Sequence, residues 1–341
     1  MEGGALRSRA PMVETPGPSI QGCGCASPPR RVCDLCATPF LACSVTCLRR
    51  HQAAMHGGGV APDSLPRATD YHVKLNRNID GHRDRYSGHR EHLMRLLATV
   101  GGAPSIGIFG AGNCTDLDAQ QLAADFSEIH LIDVDAEALE RGRESFPPAA
   151  RDRVVTHAGI DLSGFEDRID EWGDRFPDAT ELGRAAVASI RSILSQIGRT
   201  FHVVLSDCIL SQLPIAYRRA WVTSRTNWSS LFTAITAVHL GSLVGSLERG
   251  GRGAIACDAL GSKTAPELRD RVEATPEELQ QFVKDGLAQG KFALDPDPAS
   301  LLNGLAVPGL RALVDSPQVT EPWLWDTGDL LLVYGLLFRR T

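Results

Sequence analysis

The sequence predicts an α/β fold: a mostly parallel, doubly wound sheet with an antiparallel hairpin at its C-terminal end, preceded by a small Cys/His-rich module. Three observations predict it. From Pro104 onward, short apolar runs alternate with helical stretches, which implies right-handed crossovers and a sheet covered on both faces. Near the C-terminus the alternation stops, and two apolar runs are joined by Asp326-Thr-Gly-Asp329, a short polar link that favours a hairpin. Six of nine cysteines crowd between Cys23 and Cys47.

The elements follow in order. Residues 1–22 contain Gly, Pro and Ser without periodicity and read as a flexible tail. Residues 23–56 hold the Cys/His cluster. Gly57-Gly58-Gly59, Pro62 and Pro66 mark a linker over 57–69. Residues 70–341 form the main domain. Its first stretch, Asp70 to Val100, is helical in pattern, with Leu93, Leu96 and Leu97 on the apolar face. His82, Tyr86 and His89 recur at about one helical turn and share another face.

Strands are expected at Ser105–Phe109, Glu128–Asp133, Arg153–Ala158, Phe201–Ser206 and Gly253–Asp258. Helices are expected at Asp116–Ala124, from Ala136, within 164–198 and over 229–248. Thr275-Pro-Glu-Glu starts a further helix, with Thr as cap and Pro in the first turn. Glu321–Trp325 and Leu330–Phe338 are the hairpin strands.

Composition bounds the function. The 341 residues, 43% hydrophobic and 22% charged, suffice for two or three units with buried cores. A net charge of -6 argues against general nucleic-acid binding. No apolar run reaches about 18 residues, so no membrane span is expected. The N-terminus lacks the apolar segment of a secretory signal, and the cysteine usage fits metal binding in a reducing, cytoplasmic setting rather than a disulfide scaffold.

Strand one runs into Ile108-Phe109-Gly110-Ala111-Gly112-Asn113-Cys114. Glycines at 110 and 112 permit a sharp turn and close approach to a ligand, and the helix that follows offers free N–H groups. Asp133 ends strand two, 21 residues after Gly112, where a carboxylate can accept hydrogen bonds from a ribose diol. A nicotinamide fingerprint would put a third glycine at Thr115, whose β-branch hinders close packing.

This stretch resembles the class I S-adenosylmethionine-dependent methyltransferases. Their loop is an acidic residue, a hydrophobe and Gly-x-Gly-x-Gly; Gly110 and Gly112 match, whereas Cys114 replaces the third glycine and Ile108 the acid. The resemblance spans about residues 70–341 and implies a Rossmann-like methyltransferase sheet. It implies S-adenosyl-L-methionine as cofactor, held by Phe109, Gly110, Ala111, Gly112, Asn113 and Cys114, with Asp133 and Val134 at the ribose. Asp161 and Leu162 would lie near the adenine, and Ser206 at the end of strand four. Asp135 would cap the next helix.

A helix before the sheet commonly covers the donor in this fold, which makes Tyr71, Arg83, Tyr86 and His89 candidates there. Asp207, at the expected reaction centre, is the candidate for orienting or deprotonating an acceptor. The insertions at 164–199 and about 285–320 would select that acceptor, a small molecule or a protein.

In the N-terminal module the potential ligands are Cys23, Cys25, Cys33, Cys36, Cys43, Cys47, His51 and His56, enough for two tetrahedral, structural zinc sites. The segment resembles the MYND and HIT zinc fingers, which share Cys-Ser-x-x-Cys followed by a helical His. By that resemblance Cys23, Cys25, Cys43 and Cys47 would hold one ion, and Cys33, Cys36, His51 and His56 the other. The first pair is here Cys-x-Cys, and His56 stands where MYND ends in Cys. Those fingers bind peptide segments, so a protein partner is expected through this module. The leading expectation is methyl transfer. The alternatives are a non-catalytic adaptor that recruits a partner through the finger, and a nucleotide-dependent oxidoreductase.

Overall fold

The computed structural model of the chain describes residues 21–22, 31–33, 40–42, 68–77, 83–172, 176–220 and 225–341. The chain divides into two compact units, Met1–Leu65 and Pro66–Thr341, with the boundary inside the expected 57–69 linker. In the first unit, three short strands, β1 (Gln21–Gly22), β2 (Arg31–Cys33) and β3 (Phe40–Ala42), pair in the order β1-β3-β2. Cys33 closes β2. The other expected zinc ligands, Cys23, Cys25, Cys36, Cys43, Cys47, His51 and His56, lie outside the described residues.

The second unit is built on an eight-stranded sheet. Its strands are β4 (Ala103–Phe109), β5 (Phe126–Ile132), β6 (Val154–His157), β7 (Phe201–Asp207), β8 (Leu247–Gly261), β9 (Val314–Val319), β10 (Trp323–Asp326) and β11 (Leu330–Arg340). They run β10-β11-β8-β7-β4-β5-β6, with β9 also paired to β11. Strands β4 to β8 are mutually parallel, and β11 is antiparallel to each of its neighbours β8, β9 and β10. This is the expected Rossmann-like α/β sheet with a C-terminal antiparallel hairpin. The hairpin strand β11 inserts between β8 and β10 rather than extending the edge.

Apolar patterning explains the layers. The last five residues of β4 are buried, and so are the last four of β5, as expected for strands covered on both faces. Helix α1 spans Ala68–Arg77 and α2 spans Ser87–Val100. The expected single helical stretch from 70 to 100 is therefore two helices, and His82 falls in the segment outside the described residues. Leu93, Leu96, Leu97 and Val100 of α2 join the main core with Ile106, Ile108, Leu131 and Leu205.

Helix α3 covers Ala119–Asp125, not Asp116–Ala124. Asp118 is its cap, because its carboxylate accepts from the N–H of Gln120 and Gln121, both at 3.0 Å. Helix α4 (Ala136–Glu144) starts at the expected Asp135 cap, which accepts from Ala138 N–H at 3.1 Å. Short helix α5 (Glu166–Trp172), long helix α6 (Ala179–Ile197), and helices α7 (Leu213–Ala220) and α8 (Arg225–Gly245) complete the central crossovers. Helix α9 (Pro276–Ala288) begins with the Thr275–Glu278 capping box.

From β4 the chain steps through β5 to β6, then crosses back to β7 and continues to β8 on the other side. The strand order reverses between β4 and β7, so the loops at their carboxyl ends diverge and leave a crevice there. Among the described residues, no helix is long and apolar enough to cross a membrane.

Candidate functional site

The crevice holds a groove with two lobes. The first is lined by the turn after β4, together with Asn76, Tyr86, Asp116, Asp207 and Trp325. The second continues along Val134, Ile160, Asp161 and Leu162. His72 and Asp133 line both.

The glycine turn is shaped by backbone constraints. Gly110 has φ +77°, and a Cβ there would lie 2.7 Å from Ile209 Cβ, so a side chain is excluded by conformation and by space. The N–H of Gly112 donates to Asp133 Oδ2 at 3.1 Å. Cys114 also adopts positive φ, 53°, which explains why a glycine is favoured at this position. Its thiol is fully buried and packs over Gly142 of α4, where a Cβ would approach Sγ to 2.8 Å. The cysteine is tolerated because the facing helix residue is itself a glycine.

Asp133 accepts the N–H of Asp135 on its other oxygen at 2.9 Å. Burial pushes its carboxyl up to about 6, opposed by the backbone N–H groups of Asp135 and Gly112. Helix α1 lies across this part of the groove. Asn76 donates to Asp135 Oδ2 at 3.2 Å, and its carbonyl accepts from Asn113 Nδ2 at 2.6 Å. In the second lobe both oxygens of Asp161 are engaged by the chain: Oδ1 accepts Ser163 N–H and Oδ2 accepts Glu166 N–H, each at 2.9 Å.

At the other end stands a buried polar chain. Trp323 Nε1–H donates to His89 Nδ1 at 3.0 Å, and His89 Nε2 lies 3.2 Å from Asp207 Oδ1. An indole nitrogen can only donate, so Nδ1 must accept and the hydrogen of the neutral ring sits on Nε2, pointing at Asp207. Burial lowers the imidazole to about 4, consistent with a neutral ring. The His89 ring stacks on Trp325 at 4.1 Å, and Trp325 meets Tyr86 edge-on at 5.2 Å. Asp207 is 5% exposed, and burial pushes its carboxyl up to about 7. Asp116 beside it is pushed up to about 8, by burial first and then by the negative charge of Asp207.

Among the described residues, His89, Asp207 and Cys208 bring one nitrogen, one oxygen and one sulfur within 4.8 Å of one another. The tautomer disfavours a metal there as arranged. With Nδ1 accepting from Trp323, Nε2 carries the hydrogen and has no free lone pair.

Of the residues expected from the sequence, Gly110, Ala111, Gly112, Asn113, Asp133, Tyr86 and Asp207 line the first lobe, and Val134, Asp161 and Leu162 the second. Three do not line the groove. Phe109 is fully buried edge-on to His239, Cys114 faces α4, and Ser206 Oγ pairs with His239 Nε2 at 2.7 Å. The β-strand alternation turns Ser206 into the layer opposite Asp207. Sequence reasoning missed Asp116, His72, Asn76, Trp323 and Trp325. The Trp-x-Trp spacing in β10 was a usable signal, since period two puts both indoles on one face.

No protein-family model matches the chain, and no curated protein does. Solved structures similar to it include N-methyltransferase NodS from Bradyrhizobium japonicum, with 14% identity over 76% of this chain and 98% of that one, at TM-score 0.37. A TehB-like SAM-dependent methyltransferase from Corynebacterium glutamicum shares 12% identity over 78% and 96%, at TM-score 0.34. An rRNA methylase from Streptococcus thermophilus shares 10% over 74% and 96%, at TM-score 0.33. At these identities and scores the likeness carries nothing about activity.

Proposed function

We propose that the chain is a class I S-adenosylmethionine-dependent methyltransferase. One observation carries the reading: a two-glycine turn and the acid after the next strand converge on a single groove at the strand-order reversal, joined by the Gly112 N–H to Asp133 bond. The groove fits the donor's chemistry. Gly110 leaves no space for a side chain, and Asp133 sits where a diol would be recognised.

When bound, the donor supplies a methyl group activated by a positive sulfur. The chain's own residues then align and exclude water, which is most of what such a reaction needs. The backbone of Gly110–Asn113 would cradle the donor, Asp133 would accept from its ribose, and Val134, Asp161 and Leu162 would border its base. Asp161, like Asp133, is fixed in orientation by backbone N–H groups on both oxygens, and its Oδ2 keeps a lone pair for a ligand. His89 fixes Asp207 in place. Helix α1 covers the groove through Asn76 and His72.

For the N-terminal unit the proposal is two structural zinc ions held by the eight Cys and His ligands of 23–56, serving to recruit a protein partner or substrate. What supports it is the ligand number and spacing in the sequence.

The test is equilibrium binding of labelled S-adenosylmethionine and of S-adenosylhomocysteine to the full chain, beside nicotinamide dinucleotides. Saturable binding of the first two is expected. Saturable nicotinamide binding with no donor binding overturns the reading. Metal analysis of freshly purified protein should give near two zinc ions per chain, and none would defeat the finger.

A further inference from the structure

Donor binding leaves one feature of the groove unused. Asp116 and Asp207 line the same lobe, and Asp207 Oδ2 is buried without any hydrogen-bond donor. The charge of Asp207 raises the proton affinity of Asp116, and a proton held between the two carboxyls would satisfy the orphaned Oδ2, since a carboxylate cannot donate. Among the described residues no Arg or Lys forms an ion pair with either carboxyl, although the Arg90 guanidinium lies close by. His89 is held neutral by Trp323, and the Arg90 guanidinium donates to the Thr115 carbonyl at 2.9 Å and to the Arg83 carbonyl at 2.6 Å. The wall of this end is aromatic, formed by Tyr86 and Trp325, a surface that attracts cations.

We propose that the Asp116–Asp207 pair receives the ammonium nitrogen of an amine methyl acceptor, the cation displacing the proton that the pair otherwise shares. The inference rests on the methyltransferase reading and names its substrate class. A neutral alcohol or thiol would leave two adjacent carboxylates, one buried and one half-buried, uncompensated, or leave their proton in place; an ammonium neutralises one charge and donates to both groups. Asp116, which keeps a partly exposed edge, then takes one ammonium proton and frees the nitrogen lone pair. That pair forms the N–C bond while the C–S electrons pass to the donor sulfur. The product leaves as a methylated ammonium, and Asp116 loses its proton to solvent.

The titratable groups facing the pair are His89 and Tyr86 beside α2, Cys114 of the turn, Asp133 after β5, Cys208 after β7 and Asp258 in β8. Burial pushes both thiols and the phenol up and the imidazole down, so none of these four charges near neutral pH. Asp133 and Asp258 can only add negative charge. Burial pushes Asp133 up to about 6 and Asp258 up to about 7, so both also exchange protons in this range, and the Asp116→Asn comparison assigns the release to the pair.

The test uses the full chain saturated with S-adenosylhomocysteine, titrated with methylammonium or with methanol by calorimetry in two buffers of different ionisation enthalpy. Expected for methylammonium are release of roughly one proton at pH 7 and an affinity that rises about tenfold per unit between pH 6 and 7. Methanol should show neither. Asp116→Asn should weaken methylammonium binding at least about tenfold, and the pH series on the unaltered protein stands by itself should that variant fold poorly. Proton release complete on S-adenosylhomocysteine binding would assign the pair to the donor's own ammonium and overturn the inference. So would methylammonium binding that is absent or independent of pH. If S-adenosylhomocysteine does not bind, the methyltransferase reading fails, while the methylammonium titration of the protein alone still reports on the pair.

Discussion

Trp323 Nε1–H donates to His89 Nδ1 at 3.0 Å, and this one bond puts the hydrogen of the neutral imidazole on Nε2, the nitrogen that meets Asp207. The indole sits on β10 and the imidazole on α2, 234 residues away in sequence. Trp323→Phe keeps the ring stack against His92 and removes the donor, leaving a buried acceptor unpaired. The expected cost is about 1–3 kcal/mol of stability, measured by denaturant unfolding. Nitrogen-15 spectra should show the single Nε2–H tautomer of His89 becoming a mixture. An unchanged tautomer in the variant would show that Trp323 does not set it.

Asp133→Ala should weaken binding of S-adenosylmethionine by one to two orders of magnitude, the loss of charge-assisted hydrogen bonds worth roughly 1.5–3 kcal/mol. The variant also releases Gly112 N–H from its partner, so the glycine turn should become more mobile in hydrogen exchange. Unchanged donor affinity would remove Asp133 from the ribose site.

Cys114 and Gly142 are expected to be coupled. Gly142→Ala drives a Cβ to 2.8 Å from the Cys114 sulfur and 3.1 Å from the Gly112 carbonyl. It should cost about 1–3 kcal/mol by overpacking. Adding Cys114→Gly removes the sulfur and suits the positive φ, so the double variant should recover at least about 1 kcal/mol of that loss. Strict additivity in a double-mutant cycle would contradict the packing described.

The Asp116–Asp207 pair should make stability fall as pH rises. Both folded-state carboxyls sit above the ordinary carboxylate value, at about 8 and about 7. The folded chain therefore holds more protons than the unfolded one between about pH 4 and 8, and loses stability across that window. Asp116→Asn abolishes part of this dependence. Its melting temperature relative to the unaltered protein should rise with pH, by roughly 2–4 °C for each kcal/mol. An equal difference at pH 5 and pH 8 would exclude a shared buried proton.

Removing residues 1–60 should leave the second unit folded and able to bind S-adenosylmethionine within about threefold of the full chain. The boundary at Leu65/Pro66 motivates this, together with typical independence of domains joined by Gly/Pro-rich linkers. Loss of cooperative unfolding in the truncated chain would contradict it.

The sequence by itself determined the parallel core, the antiparallel strand near its end, the glycine turn with Asp133, and the Asp135 and Thr275 caps. These follow from local patterns: apolar runs of strand length, glycines where φ is positive, and short polar side chains that bond the first turn of a helix. Asp116 shows where local reading stops. It was expected to open a helix, but Asp118 is the better-placed cap, and Asp116 is left facing Asp207. Ser206 and Asp207 are adjacent in sequence, yet one bonds His239 in the helix layer and the other meets His89 in the groove. Only the tertiary structure brings β10 beside α2, orders Trp323, His89 and Asp207 into one chain of hydrogen bonds, and sets Asp116 on the same groove as the buried Asp207. Those contacts depend on where β11 inserts in the sheet, and the free energies of a shared proton and a fixed tautomer arise from groups that approach each other only after that insertion.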